Sequence, residues 1–141
     1  MKKTFLPFLC VLFFSANGKA QLFSKNAIIT YSICFVAGAS DGLNDAIVAH
    51  DPFPNSNFWS LYAKNSYENK EKYGWLRREV FTFTTDGYHL TKFVTYTSYT
   101  VAVGFTIGDK NRNWKYILGK AALSFAASKL GHTLSYNILF K

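Results

Sequence analysis

The chain has 141 residues, enough for one domain, and 49% of them are hydrophobic while 17% are charged. Its 16 Lys and Arg against 8 Asp and Glu give a net charge of +8. No basic cluster lies on a recognisable nucleic-acid-binding module, so nucleic acid is not an expected partner. Of the two cysteines, Cys10 falls in the targeting segment described next. Cys34 alone then remains, which excludes an intramolecular disulfide and leaves Cys34 as a small packing residue.

Residues 1–20 have the pattern of a signal peptide. A basic start at Lys2 and Lys3 is followed by an apolar run and then by a small, polar stretch. Cleavage after Ala20 would leave residues 21–141 as one mature domain, exported to the bacterial cell envelope. The alternative is an uncleaved anchor. The apolar run disfavours it, because it is shorter than the ~20 residues that span a bilayer.

Three segments of the mature chain are predicted to be helices of about the length that crosses a bilayer: residues 26–49, 86–107 and 117–138. The last is rich in Ala and Leu and has no proline, which favours a helix. The middle one is ambiguous at its start, FTFTTDGYHLTK. Asp86-Gly87 is typical of a hairpin turn, whereas Thr85 or Asp86 could also cap a helix. We favour the helix, because the first and last segments lack clear alternation and leave too few strands for a β protein.

These segments predict an all-α fold, a small helical membrane bundle of three spans. An aromatic-rich segment after the first span is predicted to lie at the membrane interface. Its rings are those of Phe53, Phe58, Trp59, Tyr62, Tyr67, Tyr73 and Trp75. Small residues recur one helical turn apart in two spans, as Cys34, Gly38 and Gly42 and as Ser124, Ser128 and Gly131. Such stripes let helices approach closely, so the expected partners are the lipid bilayer and a second copy or another envelope protein.

The connection of the spans places all the histidines toward the same side of the bundle. These histidines are His50, His89 and His132. Asp86 opens the second span on that side, and Asp41 and Asp45 lie one turn apart on one face of the first span. In a structural interpretation, the two aspartates of the first span neutralise Lys92 and Lys129 while the histidines form hydrogen bonds across helices.

A functional interpretation makes this polar cluster a catalytic or proton-relay centre. The candidate catalytic residues are Asp41, Asp45, Asp86, His89 and His132. The cluster is also a candidate site for zinc or a similar divalent ion, because imidazole and carboxylate form a mixed N/O ligand set. The candidate ligands are His50, His89, His132, Asp41 and Asp45. No HExxH or CxxC spacing is present, so the sequence requires neither a metal cofactor nor an enzymatic activity.

The blocks FW, SYENKEKYG and FTFTTDGYHL, followed by HTLSYNILF near the end, resemble those of small bacterial membrane and envelope proteins that have no known activity. The likeness covers roughly residues 35–140 and implies a helical membrane protein. Three alternative functions are therefore considered. The first is a small polytopic envelope protein whose His/Asp/Lys cluster serves helix packing or partner binding. The second is a metal-dependent enzyme or proton-relay site within the membrane, and the third is a soluble or peripheral periplasmic α-helical domain.

Overall fold

The computed structural model describes residues 22–60, 81–110 and 113–139. Three helices account for most of them: α1 (Lys25–His50), α2 (Gly87–Ile107) and α3 (Trp114–Thr133). A 3-10 turn, Thr82–Thr84, precedes α2, and α3 runs on into a π-helical segment, Leu134–Leu139. The described residues contain no β-strand.

Each long helix begins at a polar side chain that caps its free N–H groups. Ser24 accepts from the backbone N–H of Ala27, and Asn113 accepts from that of Lys115. Asp86 is in an extended conformation and accepts from the backbone N–H of His89. Such caps supply an acceptor that the first turn of a helix lacks. The Asp-Gly pair therefore starts a helix and does not form a hairpin, which confirms the prediction that the segment 86–107 is helical, with Asp86 as the cap.

Helix α1 lies between the other two and packs against both. Helix α2 runs antiparallel to it. The hydroxyl of Ser40 donates to the carbonyl oxygen of Thr91 at 2.9 Å, and farther along α2 the hydroxyl of Thr95 donates to the carbonyl of Ala37 at 3.4 Å. Helix α3 runs parallel to α1, because Gly38 faces Ser128 and Gly42 faces His132 one turn later. The C-terminal end of α1, the start of α2 and the end of α3 thus share one end of the bundle.

Glycines bring the backbones of α1 and α3 into direct contact. A Cβ atom at Gly38 would overlap the carbonyl of Ser128, and one at Gly131 would overlap the carbonyl of Phe35. A Cβ at Gly42 would lie 2.5 Å from the carbonyl oxygen of His132. The two stripes of small residues predicted from the sequence therefore face each other, and the contact they make is within one chain.

The predicted membrane bundle is wrong. Among the described helices, none combines the length and the apolarity that crossing a bilayer requires. The prediction rested on segment length, and the helices do have about the right length. However, α2 carries many Thr and Tyr residues, α3 contains three lysines, and α1 contains Asp and Asn. Hydroxyl, amide and ammonium groups lower the mean hydropathy of a segment, so length alone does not make it a span. The transmembrane designation of all three segments is corrected accordingly.

The first rings of the aromatic segment pack on the start of α2. The ring of Trp59 lies 6.3 Å from that of Phe53 and 5.2 Å from that of Phe58, measured between centroids. A Cβ atom at Gly87 would overlap the Trp59 ring, and the N–H of Gly87 donates to the carbonyl of Phe58 at 2.6 Å. Tyr62, Tyr67, Tyr73 and Trp75 lie outside the described residues, as does the predicted signal peptide.

Candidate functional site

All three histidines lie at the end of the bundle where α1 ends and α2 begins, as the sequence predicts, but they do not meet in one cluster. His132 contacts Asp45 across α1 and α3, and His89 contacts Asp86 within the start of α2. The imidazole of His50 packs on the ring of Tyr136, with 5.1 Å between centroids. The ring of His132 also stacks on that of Tyr136, with 5.7 Å between centroids, so His50 and His132 share this tyrosine. His89 and Asp86 form a separate pair, and only part of the predicted set of candidate residues converges.

The residues that converge are Asp41, Asp45 and His132. Each offers one ligand atom, and these atoms all lie within 4.8 Å of one another. The Nε2 atom of His132 is 3.0 Å from Oδ2 of Asp45. Zinc binds imidazole nitrogen and carboxylate oxygen at about 2.0–2.2 Å, so two ligand atoms on the same ion lie no more than about 4.4 Å apart. Small side-chain rotations would therefore bring all three onto one cation.

The glycine contacts between α1 and α3 determine the positions of Asp41, Asp45 and His132. Asp41 and Asp45 are one turn apart on α1, and Gly42 beside them touches the backbone of His132. Gly131, next to His132, is packed against the backbone of α1 in turn. Since close backbone contact sets the spacing of the helices, the distance between the carboxylates and the imidazole depends little on long, mobile side chains. The side chain of Asp45 is 54% exposed and that of His132 is 24% exposed, so the cluster is open to solvent.

The pair of His89 and Asp86 is built as a helix cap. Asp86 is buried, and its carboxylate accepts from the N–H of His89 at 2.9 Å and from the hydroxyl of Thr85 at 3.0 Å. The Nδ1 atom of His89 lies 2.8 Å from the same carboxylate. Both oxygens of Asp86 are thus occupied by the turn they stabilise. The sequence predicts Asp86 and His89 as candidate site residues, but in the structure they do not join Asp41, Asp45 and His132.

The predicted ion pairs between the aspartates of α1 and two lysines are absent from the described part of the chain. The ammonium of Lys92 lies over the rings of Tyr88 and Tyr96, at 5.5 and 6.0 Å from their centroids, and that of Lys129 lies 5.8 Å from the ring centroid of Phe125. The prediction that these lysines neutralise Asp41 and Asp45 is therefore wrong. Each lysine instead lies over aromatic rings of its own helix.

A polar groove of about 470 Å³ borders the cluster. Its lining includes Asn44, Asp45, Tyr88, Lys92, His132 and Tyr136. The buried amide of Asn44 donates to the carbonyl of Tyr88 at 3.1 Å and to the hydroxyl of Thr91 at 3.0 Å, which fixes the floor of the groove. Two phenols and one ammonium therefore stand beside the exposed side of the Asp45–His132 pair, where a small polar molecule has room to bind.

A second polar group, at the opposite end of the bundle, is missing from the sequence-based candidates. The carboxylate of Asp109 accepts from the hydroxyl of Tyr116 and from the ammonium of Lys120, the latter at 3.2 Å. Lys120 is 1% exposed. Burial, followed by the hydrogen bond to Asp109, raises the pKa of Tyr116. The i, i+4 spacing of Tyr116 and Lys120, with an acid just before the helix, is the signal that could have identified this group.

Cys34 behaves as its sequence surroundings predict. Its side chain is buried on α1, and burial raises the pKa of the thiol, an effect that Ser124 and the charge of Lys120 offset in part. A raised pKa keeps the sulfur protonated at neutral pH, and the thiolate is the reactive form of cysteine. Its burial on α1 agrees with a small packing residue.

No protein-family model matches this chain, and no curated protein or solved structure is significantly similar to it. The resemblance to bacterial membrane and envelope proteins thus stays a prediction. The geometry of the described residues carries the functional argument.

Proposed function

We propose that this protein binds a divalent metal ion through Asp41, Asp45 and His132. The observation that carries the proposal is the convergence of three ligand atoms from two helices within 4.8 Å. Two carboxylates one turn apart repel each other unless a positive charge lies between them. Among the described residues, the imidazole of His132 is the one ion-pair partner that either aspartate has, so a bound cation would relieve this repulsion.

The ligand set favours zinc or a similar late first-row ion. A mixed set of one imidazole and two carboxylates suits such ions, whereas calcium and magnesium prefer oxygen ligands alone. Three protein ligands also leave at least one coordination position open, as in sites where a bound molecule completes the coordination. The groove that holds Tyr88 and Lys92 borders the Asp45–His132 side of the cluster. We propose that the molecule completing the coordination enters from that groove.

The rival hypothesis is that the cluster only packs the helices, because the contact between His132 and Asp45 also joins α1 to α3. In that case the contact stabilises the bundle without an ion. The two hypotheses differ in one property, the stoichiometric binding of metal. Helix packing gives no reason for a variant of Asp41 to change metal binding, since Asp41 takes no part in the hydrogen bond to His132.

Calorimetric titration of the purified full-length chain with Zn²⁺ tests the proposal. We expect one ion per chain, and we expect Asp41→Asn, Asp45→Asn and His132→Gln each to weaken binding by at least about tenfold, as loss of a metal ligand does. The matched control is His50→Gln, which removes a histidine from the same end of the bundle but not from the cluster. Unchanged binding in His132→Gln, or an equal loss in His50→Gln, would overturn the proposal.

A further inference from the structure

A second cavity lies in the crease between α2 and α3, toward the end of the bundle that holds Lys120. Its volume is about 470 Å³, and ligand pockets typically occupy roughly 300–1,000 Å³. Helices α2 and α3 both pack against α1 but scarcely touch each other, so the crease between them stays open. The cavity shares no residue with the cluster of Asp41, Asp45 and His132.

The walls of this cavity are apolar. They include Val103 and Ile107 from α2 and Ile117, Ala121 and Phe125 from α3. Three of these side chains are largely exposed, Val103 at 56%, Ile107 at 79% and Phe125 at 65%. Water contact with so much apolar surface is unfavourable, at roughly 25 cal/mol per Å². An alkyl chain in the crease would remove from water the part of this surface that lines the cavity.

Lys120 gives one end of the cavity a positive charge. Its side chain is almost fully buried and lines the cavity, and its ammonium donates to Asp109. An ammonium has three donors, and Asp109 is the one hydrogen-bond acceptor that the described residues give it. Among the described residues of the segment 108–120, three are basic, Lys110, Lys115 and Lys120, and one is acidic, Asp109. The end of the cavity at Lys120 is therefore suited to an anionic group.

The cavity is elongated along the helices. The part of α3 that lines it runs from Ile117 to Ser128, which is roughly 16 Å at 1.5 Å per residue. At the end away from Lys120, the hydroxyls of Tyr99 and Ser128 are hydrogen-bonded across the crease at 2.6 Å. The shape is thus a channel with a cationic end and apolar walls.

We propose that this cavity binds a single-chain amphiphile with an anionic head, such as a medium-chain carboxylate. The head accepts hydrogen bonds from the free donors of Lys120, and the alkyl chain lies along Val103, Ile117 and Phe125. The buried ammonium holds the head because a charge-assisted hydrogen bond in an apolar site is stronger than the same bond in water.

The test is calorimetric titration of the full-length chain with dodecanoate below its micelle concentration. EDTA is included so that no metal at the other site binds the carboxylate. Ala121→Trp places a ring in the cavity from α3, and Ala126→Trp is the matched control, an exposed alanine on the same helix that does not line the cavity. We expect Ala121→Trp to weaken binding by at least about tenfold, since the ring occupies the volume of the alkyl chain, and Ala126→Trp to bind as wild type does.

A second pair of variants guards against misfolding of the first. Val103→Trp fills the cavity from α2, and Val101→Trp is its control on the same helix, exposed and outside the cavity. Circular dichroism checks that each variant keeps its helices. The head group is tested with dodecanol, which we expect to bind at least about tenfold more weakly than dodecanoate to wild type, a difference of about 1.4 kcal/mol. Lys120→Met should remove that preference.

Three results would overturn the proposal. One is wild-type affinity for dodecanoate in both Ala121→Trp and Val103→Trp. Another is equal binding of dodecanol and dodecanoate to the wild-type chain. The third is a wild-type chain that is a dimer and does not bind dodecanoate, while Ala121→Trp and Val103→Trp are monomers. A second copy of the chain would then cover the crease.

Discussion

The Nε2 atom of His132 lies 3.0 Å from Oδ2 of Asp45, and the two residues stand on the helices whose backbones touch at Gly38, Gly42 and Gly131. The imidazole and the carboxylate are thus brought together by backbone contact. Asp41, one turn earlier on α1, is the third member of the cluster. No lysine among the described residues pairs with either aspartate. The negative charge of the two carboxylates is therefore suited to a bound cation.

Zinc should raise the melting temperature of the wild-type chain, and EDTA should reverse the effect. An ion that binds only the folded state stabilises it by about 2.7 kcal/mol at a concentration of 100 times its dissociation constant. The increase should be absent in Asp45→Asn, because that variant lacks one of the ligands. Differential scanning fluorimetry measures both effects. An equal increase in wild type and Asp45→Asn would mean that zinc binds elsewhere.

Gly38→Ala should destabilise the bundle. The added methyl overlaps the carbonyl of Ser128, and overpacking of this kind costs about 1–3 kcal/mol. Gly104→Ala is the matched control on α2, where a Cβ would meet no atom within 4 Å. It should instead stabilise the chain by roughly 0.5–1 kcal/mol, the helix preference of Ala over Gly. Urea unfolding of both variants measures the difference. Two changes of the same sign would contradict the proposed backbone contact.

Asn44→Ala should weaken the packing of α1 on α2. The amide of Asn44 is 2% exposed and donates to the carbonyl of Tyr88 and the hydroxyl of Thr91. Removing it loses two hydrogen bonds between α1 and α2, each worth about 0.5–1.5 kcal/mol. Asn137→Ala, an exposed asparagine after α3, should change the free energy of unfolding by no more than about 0.5 kcal/mol. Chemical denaturation tests the pair, and a smaller loss at Asn44 than at Asn137 would contradict the contact.

Tyr31 should make the stability of the chain depend on pH under alkaline conditions. Burial, followed by the proximity of Tyr116, raises the pKa of its phenol to about 12, and its hydroxyl donates to the carbonyl of Leu22 at 2.9 Å. The unfolded chain releases this proton near pH 10, so the contribution is complete below pH 10 and is lost as the pH rises to about 12. Tyr31→Phe should therefore lose less stability than wild type over that interval. Urea unfolding at several pH values measures this, and identical slopes for the two proteins would count against it.

The helices were predictable because their signals are local. Asp86 caps α2 through a residue three positions away, and the small-residue stripe of α1 is visible as a spacing of four. The common end of the three histidines followed from the antiparallel order of α1 and α2. The membrane prediction failed because the many Thr, Tyr and Lys residues lower the mean hydropathy of the helices, and segment length does not show this.

The pairing within the site was not predictable from the sequence. Whether Asp45 meets Lys92, Lys129 or His132 depends on the rotation and axial shift of one helix against another. These are set by the contacts of Gly42 and Gly131 with the neighbouring backbone. A spacing of four residues identifies the face of α1 that carries the aspartates, but it does not say which residue of another helix will stand opposite. The Asp109–Lys120 pair, by contrast, has a local signal in the i, i+4 spacing of Tyr116 and Lys120 that follows an acid.

The most direct test of the metal site is the nitrogen NMR spectrum of the histidine side chains, recorded as Zn²⁺ is added. Long-range correlation spectra resolve the ring nitrogens, and the three histidines can be assigned by replacing each with Gln. We predict that Nε2 of His132 shifts until one equivalent of zinc is bound, that His50 and His89 stay unchanged, and that the shift is lost in Asp41→Asn. An unchanged His132, or a zinc-dependent shift at His50 or His89 in its place, would contradict the account.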